Sequence, residues 1–310
     1  MTTIGISFIV CTRDGADRIL RTLDSIVTSA GALSDAELVL VDNGSRDATA
    51  KTVLEWQATA PLPVTIVHEP QPGLAIARNA GMAAAGGDIL AFTDDDCRLH
   101  PHYAVNMLRH FAHDRDPVIR GGRVELGDQR DLPFTIKTAS EPAIYDGSDH
   151  PGGFIHGCNM AIHRDVIQRI GPFDPLFGAG ARFRSAEDTD FVYRAYRAGL
   201  PIEYVPDCVV FHHHGRRRQA DIRHLARAYA EGNGALYAKF VADRRLLRHL
   251  YWDLKGLARE LFGGAPMDPD LGLTHRANVV GSIIGMARYA GFRSRRSEVR
   301  PIPVPNALHR

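Results

Sequence analysis

The chain has 310 residues, of which 45% are hydrophobic and 24% charged, and its formal net charge of +1 gives no overall field to attract nucleic acid. No apolar stretch reaches the ~18 residues needed to cross a bilayer, and residues 1–4 do not begin a secretory signal. Scattered cysteines without a CxxC pair predict reduced thiols, not a disulfide or zinc framework: Cys11, Cys97, Cys158 and Cys208. We therefore expect a cytoplasmic globular protein.

The N-terminal third alternates short apolar runs with segments of helical periodicity. Val, Ile and Phe dominate the apolar runs, as in strands that are buried on both faces of a parallel sheet. The predicted strands are Ile4–Cys11, Glu37–Val41, Val64–His68 and Ile89–Phe92, and the predicted helices are Ile19–Val27, Asp47–Gln57 and Ala75–Ala85. This alternation predicts an α/β fold of the Rossmann-like type, with a mostly parallel sheet flanked by helices.

Each predicted strand ends in polar residues, and the fourth runs into three consecutive carboxylates, Asp94, Asp95 and Asp96. Ligands of an open parallel sheet bind beyond the carboxyl ends of its strands. Clustered carboxylates at that place suit Mg2+ or Mn2+, and such a cation suits a phosphate. On this stretch alone, a solvated acidic turn fits equally well.

Other polar groups at the same sheet edge could contact a nucleotide. The backbone N–H groups near Thr12 and the side chain of Arg13 could meet a base or a phosphate. Asp42 could accept a hydrogen bond from a uracil or a ribose, and Arg78 could reach back to the same ligand. Each has a structural alternative, since residues 42–45 form a common turn sequence and Arg78 alone would be a solvated helix residue.

The second part of the chain adds further ionisable residues. Strands are predicted at Val118–Leu126, Gly157–Ile162 and Ile202–Phe211, helices at Asp165–Ile170 and Ser185–Ala198, and an irregular surface excursion near the site at Gly127–Gly152. Ser185 and Asp188 match a capping arrangement, so Glu187 and Asp188 have a structural alternative at the helix start. After the last strand, at most His212 and His214 share a face of the extended chain and can serve a metal together.

Residues 216–292 have a helical and basic pattern. Between Arg216 and Arg248, nine Lys and Arg stand against three Asp and Glu, a surplus of +6 in a chain whose total is +1. Amphipathic helices of this kind could lie on an anionic membrane, or they could pack on the main domain with a solvated basic face. Residues 293–310 are predicted to form a flexible polar tail.

Several pieces of the chain, taken in order, resemble the family 2 glycosyltransferases, inverting enzymes of the GT-A fold. The pieces are Ser7–Arg13, Val41–Asp47, Gly73–Gly81, Phe92–Asp96, and Ala186–Asp188 with Phe211–His213. Any one piece is weak evidence for the family, but the ordered set covers residues 4–215 and is a specific signal. The resemblance implies a GT-A domain at 1–215, with a nucleotide-sugar half at 1–97 and an acceptor half at 98–215, followed by the helical appendage.

The resemblance also implies which residues bind the donor and the metal. Nucleotide-sugar binding is expected from Thr12, Arg13, Asp42, Asn43, Gly73, Arg78, Asp94 and Asp95. Asp94 and Asp96 would form the DxD motif, which grips the ribose and a Mn2+ or Mg2+ ion, with His212 or His213 as a further metal ligand. Cys97 stands where many members have another Asp, and this leaves open which of the three carboxylates touches the metal.

Asp188 is implied as the general base, with Glu187 or Asp190 as alternatives. A glycosyl transfer develops positive charge at the anomeric carbon while a diphosphate leaves, so a metal and a base have separate tasks. One base without a second nucleophilic carboxylate implies a single displacement with inversion, by analogy with inverting hydrolases.

The sequence therefore predicts an inverting glycosyltransferase whose donor is a UDP-sugar, with GDP- or dTDP-sugars as alternatives. The expected acceptor is a saccharide or a lipid-linked saccharide, with no nucleic acid partner and with peripheral contact to the inner face of an anionic membrane. Two other classes compete. A nucleotidyltransferase would show a Gly-rich phosphate-binding loop after the first strand, and residues 12–16 match such a loop poorly. A non-catalytic scaffold would keep the fold and lose the base.

Overall fold

The computed structural model describes residues 5–31, 33–114 and 116–298. The strands are β1 (Ile6–Thr12), β2 (Ala36–Asp42), β3 (Val64–His68), β4 (Ile89–Asp94), β5 (Cys97–Leu99), β6 (Ile119–Leu126), β7 (Ala143–Ile144), β8 (Met160–His163) and β9 (Ile202–His212). The helices are α1 (Ile19–Ala30), α2 (Thr49–Gln57), α3 (Leu74–Ala84), α4 (Tyr103–Phe111), α5 (Pro151–Phe154), α6 (Asp165–Ile170), α7 (Glu187–Arg197), α8 (Gln219–Lys239), α9 (Arg244–Leu261) and α10 (His275–Glu298). All predicted elements of the N-terminal third are present.

The described strands form one sheet in the order β3-β2-β1-β4-β8-β6-β9-β5, and β7 also pairs with β9. The four strands of the N-terminal third are parallel, as the alternating pattern predicts. The second part of the chain adds one parallel pair, β6 with β9, and antiparallel pairs of β8 with β4 and β6. The result is a mixed sheet with an α/β architecture.

Both faces of the sheet are buried, which explains the uninterrupted apolar runs. Successive residues of β1 point to opposite faces, so Phe8 and Val10 contribute to one core and Ile9 to the other. The first core includes the inner faces of α1 and α4, and the second includes α3 and α7. Helices therefore cover the sheet on both sides, and its polar strand ends are left as the accessible edge.

The strand register aligns these polar ends. Thr12 lies opposite Asp42 in the pairing of β1 with β2, and Cys11 lies opposite Asp94 in the pairing of β1 with β4. Because parallel strands end at a common edge, the residues that follow them gather in one place. The predicted meeting of the Thr12, Asp42 and Asp94 segments at one edge is confirmed.

Some elements of the second part differ from the prediction. The strand expected from Gly157 starts at Met160, because residues Gly157–Asn159 form a 3-10 turn. The expected cap of α7 is wrong: Ala186 is its N-cap, with a left-handed φ of 71°, and the helix start has no side-chain cap. Ser185 instead donates a hydrogen bond to the carbonyl of Ala228, 2.8 Å away.

The C-terminal helices pack on the second half of the sheet domain. A third core joins Phe177, Phe183 and Tyr193 to Leu236 of α8 and to Phe240 just after this helix, together with residues of α9 and α10. None of the described helices is long and apolar enough to cross a membrane. Helix α10 continues through Glu298, beyond the predicted start of the tail, and residues 299–310 lie outside the described part of the chain.

The packing of α8 on α10 depends on two glycines at close approach. A Cβ atom at Gly234 would lie 2.0 Å from the Ser282 carbonyl oxygen, and one at Gly285 would lie 1.9 Å from that of Glu231. These two glycines therefore allow the backbones of α8 and α10 to approach closely. This contact fixes α8, and Leu225, Tyr229 and Asn233 of the same helix line the cavity described next.

Candidate active site

A cavity of about 400 Å3 opens beyond the carboxyl ends of β1 and β4. Most of the predicted site residues line it: Arg13, Arg78, Asp94, Asp95, Asp96, Glu187, Asp188 and His212. The predicted excursion also reaches it, through Thr135, His150 and Gly152. Thr12, Asp42, Asn43 and Gly73 are not among its described lining residues. The structure thus brings the two halves of the domain together around one cavity.

Asp94, Asp96 and His212 form a cluster that could hold a metal. One ligand atom from each lies within 4.8 Å of the others. The antiparallel pairing of β5 with β9 sets Cys97 opposite His212, which brings the imidazole beside the preceding Asp96. Two carboxylates suit Mg2+ or Mn2+, and the imidazole favours Mn2+ because Mg2+ prefers oxygen ligands. The donor set therefore fits the expected cofactor.

Within this cluster, His212 and Asp96 form an ion pair with each other. Nε2 of His212 lies 3.3 Å from Oδ1 of Asp96. Burial lowers the pKa of His212, but the hydrogen bond and charge of Asp96 outweigh it and raise this pKa to about 9. Burial raises the pKa of Asp96, and the hydrogen bond and charge of His212 reverse the effect and lower it to about 2. A cation that binds here must displace the imidazolium proton.

Asp95 points away from this cluster and organises the loop after β1. It accepts a hydrogen bond from Oγ1 of Thr12 at 2.6 Å, and Arg18 donates to it from Nε at 3.0 Å and from a terminal nitrogen at 2.9 Å. A Cβ atom at Gly15 would lie only 2.6 Å from the Asp95 carboxylate, so this loop needs glycine there. Of the three consecutive carboxylates, the middle one therefore positions the Thr12 loop.

Replacing Asp95 should destabilise the fold. In Asp95→Asn, the buried Thr12 hydroxyl and the Arg18 guanidinium lose a charged acceptor, and we expect the free energy of unfolding to fall by about 1–3 kcal/mol. Urea denaturation followed by circular dichroism measures this change. Asp116→Asn, at an exposed position, is the matched control and should leave the midpoint unchanged. Equal midpoints for the two variants would refute the positioning role.

Asn43 acts on the neighbouring loop and not on the cavity. Its amide nitrogen donates to the carbonyls of Glu69 and Gln71 at 3.0 and 2.7 Å, and its amide oxygen accepts from the Gly73 backbone N–H at 2.8 Å. The amide is thus engaged in holding the turn before α3. Asp42 is buried at the end of β2. The expected contact of Asn43 with the nucleotide stays a prediction.

Arg78 is a buried ion-pair residue and not a solvated helix residue. Its side chain is 3% exposed, and its two terminal nitrogens lie 2.9 Å from Glu187 and 3.3 Å from Asp94. Burial lowers the pKa of Arg78, but these carboxylates outweigh it and keep the group charged. Arg78 thus links Asp94 at the end of β4 to Glu187 at the start of α7.

Of the three acids in the first turn of α7, Asp188 is the one that lines the cavity without an ion pair among the described residues. It lines the cavity, and it accepts hydrogen bonds from the backbone N–H of Gly157 at 2.9 Å and of Thr189 at 2.6 Å. Glu187 is buried against Arg78, and burial together with the charge of Asp188 raises its pKa to about 7. Asp190 is fully buried, with Lys239 2.6 Å away. These pairs leave Asp188 as the accessible acceptor.

The helix start that carries these acids is strained. Ala186, a residue with a Cβ atom, has a φ of 71° immediately before Glu187. Non-glycine residues in this region cost about 1–3 kcal/mol and cluster at functional sites, where the surrounding structure holds them. The turn directs Glu187 towards Arg78 and Asp188 towards the cavity. No motif in the sequence predicts this conformation.

Sequence reasoning missed several residues that line the cavity. Tyr229 and Asn233 reach it from α8, in the segment assigned to the appendage. Arg184 and Arg216 also line it, and a terminal nitrogen of Arg216 is buried without a hydrogen-bond partner among the described residues. Arginines of this kind suit an anionic ligand such as a diphosphate. The basic run from residue 216 was the available signal.

The mixed α/β sheet flanked by helices is the fold of GT-A glycosyltransferases. The chain belongs to glycosyl transferase family 2, whose family model matches residues 7–171. It is accordingly a glycosyltransferase, and neither a nucleotidyltransferase nor a non-catalytic scaffold.

Relatives and solved structures agree with this assignment. Glycosyltransferase AglE from Haloferax volcanii is 24% identical over 81% of this chain and 80% of its own length. The putative glycosyltransferase EpsH from Bacillus subtilis is 27% identical over 66% of this chain, which spans 59% of EpsH. In fold, the chain is similar to the mannosyltransferase PcManGT from Pyrobaculum calidifontis in complex with GDP-Man and Mn2+. That match has a TM-score of 0.59 and 20% identity over 98% of this chain and 78% of PcManGT.

A second solved structure has the same fold. TarS 1–349 from S. aureus, in complex with UDP-GlcNAc, matches with a TM-score of 0.56 and 16% identity over 94% of this chain and 92% of TarS 1–349. At this identity the likeness concerns the fold, and the two ligands differ in their nucleotide. It therefore leaves the donor of the present enzyme open.

Proposed function

We propose that the enzyme is an inverting, metal-dependent glycosyltransferase that moves a sugar from a nucleoside-diphosphate sugar to a hydroxyl of its acceptor. The observation that carries this proposal is that Asp188 and the Asp94–Asp96–His212 cluster line the same cavity. A donor held by its diphosphate at the cluster would present its anomeric carbon to an acceptor beside Asp188. The proposed cofactor is Mn2+, with Mg2+ as the alternative.

The residues would share the work of the transfer. Asp94, Asp96 and His212 would hold the divalent cation, which when bound neutralises negative charge on the leaving diphosphate. Arg13, Arg184 and Arg216 would add positive charge to the same cavity. Asp188 would take the proton of the acceptor hydroxyl as that oxygen attacks the anomeric carbon.

Inversion is proposed because the neighbouring carboxylates are already paired. A retaining enzyme of the double-displacement type needs a second carboxylate free to attack the sugar. Glu187 is engaged with Arg78, and Asp190 is engaged with Arg194 and Lys239. A single displacement, with Asp188 as base, is the reaction that these contacts support best.

The proposed donor is a UDP-sugar, and a thermal-shift panel tests this choice. The protein is heated with UDP-, GDP- and dTDP-sugars, each with and without Mn2+. Ligands that bind only the native state raise the melting temperature according to their affinity, so we expect the largest rise with a UDP-sugar and Mn2+ together. A larger rise in melting temperature with a GDP- or dTDP-sugar would identify that nucleotide sugar as the donor class instead. The proposed function would be overturned if none of the nucleotide sugars gave a metal-dependent rise in melting temperature.

The proposed acceptor is a saccharide, free or linked to a lipid, and the enzyme is proposed to contact an anionic membrane through α9. Trp252 and Leu261 of α9 are 52% and 67% exposed, and Phe262 just after the helix is 92% exposed. Arg244 and Arg259 are exposed on the same helix. Exposed aromatic and aliphatic side chains beside arginines are typical of helices that lie at a membrane surface.

Removing the apolar anchor should weaken membrane binding. In the double variant Leu261→Ser and Phe262→Ser, each lost apolar side chain removes about 1.5–3 kcal/mol of the free energy gained by burial in the membrane. We therefore expect an affinity for anionic vesicles, measured by co-sedimentation, that is at least about tenfold lower. Leu54→Ser, at a residue of α2 that is 57% exposed, is the control and should bind as the unchanged protein does. Unchanged binding of the double variant, or equal binding to neutral vesicles, would refute this contact.

A further inference from the structure

A second cavity of about 320 Å3 lies beside the first one, between α8, the segment that leads into α10, and Phe134. Its apolar lining residues include Met267, Leu273 and Ala277. Binding sites for small molecules are mostly apolar concavities with a few polar groups, and a cavity of this size can hold part of an organic ligand. The proposed donor, metal and base occupy the first cavity, so the second has no role in the function derived above.

The two cavities share a wall. Tyr229 and Asn233 of α8 line both, and their spacing of four residues puts them on one face of the helix. The Tyr229 ring stacks on Phe134 with the ring centroids 5.8 Å apart. Burial and the negative charge of Asp188 raise the pKa of Tyr229, so this wall lies within electrostatic reach of the proposed base. The second cavity therefore lies directly beside the cavity that contains Asp188.

Two arginines make the second cavity positively charged. Arg223 and Arg227 line it, and its described lining residues include no Asp or Glu. Arg223 makes a 3.3 Å hydrogen bond to Gln219, and Arg227 makes no ion pair within the described part of the chain. Guanidinium groups beside an apolar cavity suit a phosphate that is attached to an apolar chain.

The apolar surface continues outside the cavity along α10. Ala277 lines the cavity, and Val280 and Ile284 follow it at spacings that keep one helix face. Val280 is 48% exposed and Ile284 is 44% exposed. An apolar chain longer than the cavity would therefore remain on apolar surface as it leaves the protein.

We propose that the second cavity binds the acceptor, and that this acceptor is a lipid with a phosphate or diphosphate between its apolar chain and its accepting sugar. The inference rests on the proposed function and adds the chemical class and the place of the acceptor. The chain lies in the second cavity, the phosphate lies at Arg223 and Arg227, and the sugar extends past Tyr229 to Asp188. Charge complementarity and the shared wall favour this occupant over a neutral saccharide.

The proposed transfer to this acceptor forms one bond at the anomeric carbon and breaks another. The acceptor hydroxyl oxygen forms a bond to the anomeric carbon of the donor. The bond from that carbon to the diphosphate oxygen breaks, and its electron pair leaves with the nucleoside diphosphate. The hydroxyl proton passes to Asp188.

Calorimetric titration of the full chain with farnesyl phosphate, farnesol and inorganic phosphate tests the site. We expect saturable binding of farnesyl phosphate, binding of farnesol at least about tenfold weaker because the charged hydrogen bonds are lost, and no saturable binding of inorganic phosphate. Ala277→Phe, which fills the cavity, should abolish binding of farnesyl phosphate. The double variant Arg223→Gln and Arg227→Gln should bind farnesyl phosphate no better than farnesol.

Two controls separate the possible failures. Ala290→Phe, at another exposed position of α10, should bind farnesyl phosphate as the unchanged protein does. Every variant is also titrated with Mn2+ and UDP, and unchanged affinity there shows an intact first cavity. Binding of farnesyl phosphate that survives in Ala277→Phe, or that is absent from a wild-type protein that binds UDP and Mn2+, would overturn the acceptor site alone. A wild-type protein that binds none of UDP, GDP and dTDP in the presence of Mn2+ would overturn the proposed function and this inference with it.

Discussion

Asp188→Asn is expected to lower kcat by about a hundred- to ten-thousandfold, the range that a positioned general base contributes. The amide has nearly the shape of the carboxylate, and its oxygen can keep accepting the hydrogen bond from Gly157. It cannot take a proton from the acceptor. Nucleotide release measured against time gives kcat, and calorimetry should show unchanged affinity for the donor nucleotide.

Glu187→Gln distinguishes the base from its neighbour. This variant removes a charge that pairs with Arg78 at 2.9 Å, so we expect lower stability together with a smaller loss of kcat. Asp116→Asn serves as the control for an exposed Asp and should keep full turnover. Turnover that survives unchanged in Asp188→Asn, or a larger loss of kcat in Glu187→Gln at equal folded fraction, would transfer the role of base to Glu187.

Asp96→Asn is expected to weaken Mn2+ binding by at least about a hundredfold, since even the outer partners of metal ligands contribute ten- to a hundredfold. It also removes the ion pair with His212, so the imidazole loses the partner that raises its pKa. Turnover at a fixed Mn2+ concentration should fall accordingly, and a higher Mn2+ concentration should restore part of it. Titration of the free ion, followed by electron paramagnetic resonance, measures the affinity.

Asp94→Asn and Asp95→Asn complete this comparison of the three consecutive carboxylates. Asp94→Asn should weaken Mn2+ binding in the same way, because Asp94 belongs to the same cluster. Asp95→Asn should keep the Mn2+ affinity and lower only the stability, because its carboxylate faces Thr12 and Arg18. The opposite pattern, with metal affinity lost in Asp95→Asn and kept in Asp96→Asn, would assign the metal to the middle carboxylate.

The N-terminal half of the fold could be predicted from sequence because its signals are local. Strands that are buried on both faces are apolar at every position, as Ile89–Phe92 is, and each is followed by a helix of ordinary length. The second half was harder. Strand β5 has three residues, Cys97–Leu99, and owes its existence to pairing with β9, more than a hundred positions away. No periodicity in such a short segment reveals that partner.

The sequence predicts which residues lie near the site, but it does not predict the directions of their side chains. The strand ends located Asp94, Asp96 and Arg13, and they put these residues at the edge where the cavity opens. The direction of each side chain depends on tertiary partners. The Asn43 side chain donates a hydrogen bond to the carbonyl of Gln71, and the Asp95 carboxylate accepts one from Arg18. Both contacts join segments that are distant in the sequence.

The contribution of α8 to the site was missed for a related reason. Its apolar stripe predicts a helix that packs on something, and amphipathicity does not say which neighbour it meets. Close approach at Gly234 and Gly285 and the core around Phe240 fix its position, so Tyr229 and Asn233 reach the cavity. The segment expected as an appendage therefore forms a wall of the candidate active site.

The proposed metal–diphosphate site is tested most directly by the affinity of UDP in the absence of Mn2+ and at saturating Mn2+. If Asp94, Asp96 and His212 hold a cation that touches the diphosphate, the two ligands must strengthen each other's binding by the same factor. We predict that saturating Mn2+ lowers the Kd of UDP by about 5- to 150-fold in a calorimetric titration. UDP binding with the same Kd at both Mn2+ concentrations would contradict the account.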